Sequence, residues 1–405
     1  MIYLIGISVF IFVILILVIM ILALNSFLVL SEAATITIND DPKKNITTKG
    51  GKTLLTVLSD NGILLPSACG GKGACGMCKC VVYGGGKDIL PTELAHISKK
   101  EKKEDIRLAC QLKIRQNIKI EIPDEIFNIV KFEADVISND NVATFIKLLV
   151  LKLKKGQFLD FKAGKYMQID IPPYDIELSQ YDLGRKYRAQ WKKFGFLNIK
   201  AKSEEEAFRA YSLANPPSEK EVLKFTVRMA TPPMNNMELP PGVGSSYIFN
   251  LKPGDHVELS GPYGDFFVKK TDREICFVGG GAGMAPMRSH ILDQLETVKS
   301  KRKITFWYGA RSLQEMFFDE EFTELDDKHD NFTYKVALSD PQPEDNWNGL
   351  KGFIHQSLCD NYLTSHDDPG EIEYYLCGPP PMIDAIIRSL DDLGVEPDMI
   401  HYDKF

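Results

Sequence analysis

Five of the eight cysteines lie between positions 69 and 110. The run Cys69-Gly-Gly-Lys-Gly-Ala-Cys75-Gly-Met-Cys78 is followed at a distance by Cys110, in Arg107-Leu-Ala-Cys-Gln. Four thiolates set three-plus-one suit a [2Fe–2S] cluster. Three ligands on one loop require backbone that wraps closely, and Gly70, Gly71, Gly73 and Gly76 permit the positive φ this needs. Their N–H groups can also donate to the sulfides. Zinc, the alternative, usually takes cysteines in two short pairs and matches poorly. The spacing departs by one residue from the plant-type C-x4-C-x2-C pattern. Cys80 sits two residues past Cys78 at the start of a strand and reads as a packed thiol. The expected metal ligands are therefore Cys69, Cys75, Cys78 and Cys110.

A second set suits a flavin. In Arg209-Ala-Tyr-Ser-Leu-Ala-Asn215 an extended strand would put Arg209 and Tyr211 on one side and Ser212 on the other. Arg209 offers a donor fork to a pyrophosphate, Tyr211 a ring to pack on the isoalloxazine or ribityl chain, and Ser212 a hydroxyl near the reactive N5. An ordinary barrel strand could carry these residues, so a second element matters. Gly242-Val-Gly244-Ser245-Ser246 precedes an apolar stretch, where serines can cap a helix and free N–H groups can bind phosphate. The cofactor expected is FAD.

A third set suits a nicotinamide nucleotide. Gly279-Gly280-Gly281-Ala-Gly283-Met-Ala-Pro286 lies between the strand Ile275-Cys-Phe-Val278 and a helix containing Met287-Arg-Ser-His. Glycines there let a dinucleotide approach, and the helix start favours its negative charge. The loop is not G-x-G-x-x-G, so a standard dehydrogenase fold is not indicated. Cys377-Gly378-Pro-Pro380 follows Tyr374-Tyr-Leu, and a cysteine ending a parallel strand faces the ligand crevice or is a core thiol. Phe405, the terminal aromatic, either stacks on the flavin or ends as a frayed tail. No Arg/Lys cluster follows Tyr308 to meet a 2′-phosphate. Arg311 alone is near, and Glu315 follows it, which favours NADH.

The rest of the chain must position these sets. With 405 residues, 44% hydrophobic and 25% charged, it has room for two or three globular domains. A formal charge of −7 without a long basic run argues against nucleic-acid binding. The seven histidines show no metal-ligand spacing. Residues 2–30 carry no charge and exceed the roughly 20 residues that span a bilayer, so a transmembrane helix is expected. Ser31-Glu-Ala-Ala could serve as a cleavage site, but the basic n-region of a signal peptide is missing. Lys43 and Lys44 follow the span, which puts the remainder in the cytoplasm. The span has no carboxylate to bind Na+. Strands around one short helix over residues 34–128 fit a β-grasp ferredoxin-type domain. Strands with Gly/Pro turns over 130–270, interrupted by a charged insertion at about 172–208, fit an antiparallel β-barrel. Alternating strands and helices over 271–405 fit a Rossmann-like parallel α/β domain.

These motifs occur together in the ferredoxin–NADP reductase superfamily. With the order cluster domain, FAD domain, NADH domain and an N-terminal span, the chain closely resembles the F subunits of Na+-translocating NADH:quinone oxidoreductases. The resemblance rests on the sets above and on Trp307-Tyr-Gly-Ala-Arg-Ser312 and Leu338-Ser-Asp-Pro-Gln-Pro-Glu-Asp-Asn-Trp347. It implies that Arg209, Tyr211 and Ser212 hold FAD with Ser245 and Ser246. It implies that the Gly279 loop and Cys377 place NADH, with Cys377 near the nicotinamide, and that Phe405 covers the flavin ring. The implied activity is hydride transfer from NADH to FAD, then single electrons through the cluster to membrane subunits in a bacterial inner membrane. Two rivals share parts of the pattern. One is the reductase of an oxygenase system, and the other a non-catalytic anchored electron-transfer subunit.

Overall fold

A helix, Ile2–Leu28, opens the chain. Its described large apolar side chains, Ile5, Ile7 and Phe10 to Ile21, are each between 44% and 66% exposed. The computed structural model describes residues 2–28, 33–84 and 89–404. Val29 and Leu30, which close the expected span, lie outside them, as does Phe405. Counting only what is described, no helix is long and apolar enough to cross a membrane. The chain divides into two units, 1–129 and 130–405.

The first unit carries a five-stranded mixed sheet. Its order is Ile46–Lys49, Ala33–Ile38, Ile118–Glu121, Lys79–Tyr83, Ile106–Leu108. The central pair, Ala33–Ile38 with Ile118–Glu121, runs parallel, and the other pairs are antiparallel. Helix Leu54–Asp60 begins at Thr53, whose hydroxyl accepts from Thr56 N–H. Leu54, Leu55, Val57 and Leu58 bury its inner face, the period of three and four that an amphipathic helix requires.

The second unit holds two six-stranded sheets. The first is wholly antiparallel, in the order Ala207–Ser212, Tyr166–Ile171, His256–Tyr263, Val130–Ala143, Ile146–Leu153, Val222–Arg228. Ala207–Ser212 and Val222–Arg228 are its outer strands, and no ladder joins them among the described residues. The charged insertion has structure of its own. It contains a hairpin of Tyr174–Glu177 with Lys200–Ser203 and the helix Arg185–Lys193. Its aromatic core, with Tyr181, Trp191 and Phe196 buried, explains why this stretch broke the strand pattern. Ala207 and Phe208 already belong to the large sheet, so the insertion ends a few residues earlier than its charge suggested.

The last sheet is wholly parallel, in the order Leu350–Lys351, Phe332–Leu338, Ile304–Ala310, Ile275–Gly280, Glu373–Gly378, Ile400–Lys404. Strands buried on both faces account for the near-continuous apolar runs Ile275-Cys-Phe-Val and Tyr374-Tyr-Leu-Cys. The chain leaves Ile275–Gly280 towards one edge and returns on its other side. The carboxyl ends of Ile275–Gly280 and Glu373–Gly378 thus form the switch point where such sheets bind ligands.

Candidate functional site

The cysteine loop folds back on itself so that its thiols meet in pairs. Cys69 and Cys75 have Sγ atoms 3.4 Å apart, far beyond disulfide length, and Cys78 interacts with Cys110. Gly70, Gly71, Gly73 and Gly76 all have φ between +65° and +82°. At Gly73 a Cβ would come 2.7 Å from Gln111 Nε2, and at Gly76 2.8 Å from His96, so both positions need glycine. Cys69 is held low, to about 4, first by the Cys75 thiol and then by N–H groups of Ala74, Cys75 and Lys72. Cys110 falls to about 7, first through Cys78 and then through Gln111 and Gly73 N–H. Cys75 and Cys78 are pushed up, each chiefly by its partner thiol. Among the described residues no three His, Cys, Asp or Glu converge on one metal ion. Two separate thiol pairs suit two irons better than one zinc. Cys80 is 4% exposed with its thiol near the Arg107 carbonyl, and burial pushes it up to about 12. It is a packed thiol.

Sequence reasoning missed what holds Cys110 in place. Glu93 is fully buried and pairs bidentately with Arg107, Nε to Oε1 at 3.0 Å and Nη2 to Oε2 at 2.7 Å. It also accepts from Leu108 N–H at 3.0 Å and Leu90 N–H at 2.9 Å. Burial works to raise its carboxyl, and these donors outweigh it, leaving it below the usual range. Ala109 N–H then donates to the Cys78 carbonyl at 2.8 Å, so the Arg107–Cys110 segment is pinned on both sides.

In the second unit, Arg209, Tyr211 and Gly244 meet. A Cβ on Gly244 would lie 2.6 Å from Tyr211 Oη and 2.7 Å from Arg209 Cγ. The helix Val243–Asn250 therefore begins against the face that Arg209 and Tyr211 share. Ser212 is buried on the same strand, and its hydroxyl has no protein partner. An orphan buried hydroxyl is costly unless a ligand satisfies it. The serines do not cap their helix as expected. Ser245 Oγ instead donates to Gly242 O and accepts from Ala230 N–H, both at 3.1 Å. The helix start thus has no side-chain cap, as a helix end that receives an anion requires.

The glycine loop and the Cys377 turn touch. A Cβ on Gly283 would overlap the Cys377 carbonyl and approach Gly378 N to 2.7 Å. Gly281 has φ +56°, and a Cβ on Gly280 would lie 2.7 Å from Met382 Sδ. The Cys377 thiol does not open to solvent. It is fully buried in the apolar cluster with Phe277, Met284 and Tyr375, and burial raises it well above its usual value. Beside it on the neighbouring strand stands Asp403, pushed up to about 6 by burial and by Asp265. A lone Asp near the chain's end gave no sequence signal.

Two side chains from the helix Met284–Leu292 tie the nucleotide loop to the flavin strand. Arg288 donates to the Ala214 carbonyl at 2.7 Å while gripping Glu321, and Ser289 donates to the Asn215 carbonyl at 2.8 Å. Thr226 Oγ1 donates to Ala282 O at 2.9 Å. Glu315, read in sequence as a discriminator against a 2′-phosphate, is engaged elsewhere. Its carboxylate accepts from Thr144 N–H at 3.1 Å and from the Thr144 hydroxyl.

Three family models match the chain: a 2Fe-2S iron-sulfur cluster binding domain at residues 37–115, an oxidoreductase FAD-binding domain at 188–268 and an oxidoreductase NAD-binding domain at 277–388. The F subunit of the Na(+)-translocating NADH-quinone reductase of Pseudoalteromonas atlantica (strain T6c / ATCC BAA-1087) is 54% identical over 100% of this chain and 99% of its own. That of Serratia proteamaculans (strain 568) is 52% identical over 99% of each. This chain belongs to the family of F subunits of Na(+)-translocating NADH-quinone reductases. Its fold is shared more widely. An Amycolatopsis cytochrome P450 reductase superposes with TM-score 0.64 at 23% identity, covering 92% of this chain and 98% of that one. The ferredoxin reductase in carbazole 1,9a-dioxygenase gives 0.59 at 25%, with the same coverage. Full-length identity above one half places the chain with the F subunits and apart from such oxygenase reductases.

Proposed function

We infer that this chain is the NADH-oxidising subunit of a bacterial Na+-translocating NADH:quinone reductase, passing electrons from NADH through FAD and a [2Fe–2S] cluster to membrane subunits. The observation that carries it is the contact between the Gly279–Gly283 loop and Cys377–Gly378, tied by Arg288 and Ser289 to the strand bearing Arg209, Tyr211 and Ser212. When bound, FAD accepts a hydride and releases electrons singly, and the cluster carries one at a time.

The residues' parts follow from their chemistry. Arg209 and the first turn of Val243–Asn250, with Gly244, Ser245 and Ser246, hold the FAD pyrophosphate, and Tyr211 packs on the cofactor. The Ser212 hydroxyl offers a hydrogen bond near N5. Gly280, Gly281, Gly283 and Gly378 let the nucleotide lie close to the backbone, and buried Cys377 packs beside the nicotinamide and excludes water. Phe405, outside the described residues, would cover the flavin ring, as the family resemblance implies. Cys69, Cys75, Cys78 and Cys110 would hold the [2Fe–2S] cluster. Domain limits of 34–128, 130–270 and 271–405 accompany this assignment.

The antiparallel sheet is read as a barrel. Just past the end of Ala207–Ser212, Ala214 N–H donates to Lys224 O on the other outer strand at 2.7 Å, and the Asn215 side chain bridges to Val222 O and Lys224 N–H of that strand. Ile2–Leu28 is read as a single inner-membrane span with the soluble domains in the cytoplasm. The support for this reading is the sequence alone, in which residues 2–30 carry no charge and exceed the roughly 20 residues that span a bilayer. Cys78→Ser tests the relay. NADH should still bleach the flavin, while quinone reduction by the assembled complex stops. Undiminished quinone reduction would sink the assignment.

A further inference from the structure

We propose that Thr144 is a positioning residue for hydride transfer, through which the charged insertion holds the nucleotide loop at its place against the flavin-binding sheet. The inference rests on the reading of NADH as hydride donor to FAD. Thr144 and Phe145 are the two residues that join Val130–Ala143 to Ile146–Leu153, with Ala143 paired to Ile146. Two-residue hairpins most often use positive φ. Neither Thr144 nor Phe145 has it, so contacts with other elements shape this turn.

Those contacts run in two directions. Towards the insertion, the Phe145 ring stands 5.3 Å from that of Trp191 and 5.7 Å from that of Phe196. Trp191 Nε1 donates to the Thr144 carbonyl at 2.7 Å. Towards the parallel sheet, the Thr144 N–H and hydroxyl both donate to the Glu315 carboxylate, and Gln314 Nε2 donates to Thr144 Oγ1 at 2.9 Å. Gln190 of the insertion helix offers the hydroxyl a second acceptor at 3.1 Å. Thr144 is fully buried, so these bonds are costly to leave unmade. On either side of the turn, Ala143 and Ile146 enter the apolar cluster of Met284, Met287 and Phe317. A Cβ on Gly281 would lie 3.8 Å from Ile146 Cδ1, so the turn packs against the nucleotide loop itself. The turn is a wedge, gripped by the insertion at its tip and seated on the glycine loop at its flank. A displacement of about 1 Å at a reacting site can cost on the order of a hundredfold in rate. This gives a role to the insertion, which the cofactor sites leave unused, and to Glu315.

The full-length protein carries Thr144→Val, Thr144→Ser or Trp191→Phe. Flavin absorbance shows FAD loading. Stopped flow gives the limiting rate of flavin reduction at saturating NADH and the NADH dissociation constant. NAD+ added to the chemically reduced protein reads nicotinamide–flavin stacking as long-wavelength absorbance, without turnover. Thr144→Val should load FAD and bind NADH within about threefold of the parent, while its limiting rate falls roughly tenfold or more. Its long-wavelength band should weaken in step. Thr144→Ser, which restores the hydroxyl, should recover most of the rate. Trp191→Phe keeps an aromatic ring and removes the N–H; it should lower the same rate, and it decides the matter if Thr144→Val does not hold FAD. A limiting rate within about twofold of the parent in the FAD-loaded variant, or a loss confined to NADH affinity, overturns the proposal. So does a loss that Thr144→Ser does not recover, or failure of both Thr144→Val and Trp191→Phe to hold FAD, since the turn would then serve the fold alone. Failure of NADH to reduce the parent's flavin would sink the donor reading instead, so the two failures are distinct.

Discussion

Replacing Glu93 by Gln should loosen the cluster domain more than any surface change. Glu93 is fully buried, and its four acceptor contacts serve Arg107 twice, Leu90 N–H and Leu108 N–H. The amide keeps the volume but deletes the charge opposite a guanidinium that is itself 6% exposed. Breaking one side of a buried pair costs about 3–5 kcal/mol, because the remaining charge is stranded. The damage reaches Cys110 three residues on, so the visible bands of the cluster report it. Guanidinium titration followed by cluster bleaching should give a loss of about 3 kcal/mol for Glu93→Gln. The double change Glu93→Leu with Arg107→Met should recover most of it, since neither charge is then stranded. The pH dependence has a fixed sign. A carboxyl held below its unfolded pKa stabilises the fold above that value and loses its contribution as pH falls through its native value. The parent's cluster should become acid-labile below pH of about 4, and Glu93→Gln should be unstable already at neutral pH, with a flatter acid limb. A Glu93→Gln protein within 0.5 kcal/mol of the parent, roughly the size of a surface effect, would refute the reasoning.

Gly283→Ala puts a Cβ into the Cys377 carbonyl and should cut NADH-driven flavin reduction about a hundredfold, a displacement of roughly 1 Å at a reacting site, while FAD loading stays intact. Gly244→Val should do the reverse, because its side chain meets Tyr211 and Arg209; the purified protein should be largely free of FAD by absorbance. Asp403→Asn should stabilise the flavin-free protein at pH 7. Its carboxyl is raised to about 6, so the native state favours the neutral form and stability falls as pH rises from about 4 to 6, by up to ~3 kcal/mol. Thermal melts across that range should steepen for the parent and flatten for the variant. Deleting residues 2–28 should release the chain from membranes washed with alkaline carbonate, while the full chain stays with the pellet.

The parts of the site written in contiguous residues were readable in advance. The cysteine loop announces itself because glycines and ligands alternate within ten positions, and spacing alone separated Cys78 from Cys80. The Gly279–Gly283 loop was placed by the apolar strand before it. What escaped was set by distant partners. Glu93 sits in a polar stretch, and only Arg107, brought alongside by the strand Ile106–Leu108, makes it a buried anchor. Glu315 looked available to a nucleotide until Thr144, from a hairpin turn more than a hundred residues earlier, took its carboxylate. Ser245 has the right type and place for a cap, yet the nearby Ala230 N–H competes for its oxygen. Arg288 and Ser289 were visible as a motif, but their targets, the Ala214 and Asn215 carbonyls, carry no side-chain signature.

The central claim is that Cys69, Cys75, Cys78 and Cys110 hold a cluster reduced by NADH through FAD on the same chain. Anaerobic titration of the purified full-length protein with NADH, followed by visible absorbance and low-temperature EPR, tests it directly. The account predicts full reduction at about 1.5 equivalents per chain, two electrons for the flavin and one for the cluster, with flavin bleaching and a [2Fe–2S] EPR signal that Cys78→Ser lacks. Flavin bleaching that ends at one equivalent without any EPR signal from the intact protein would contradict it.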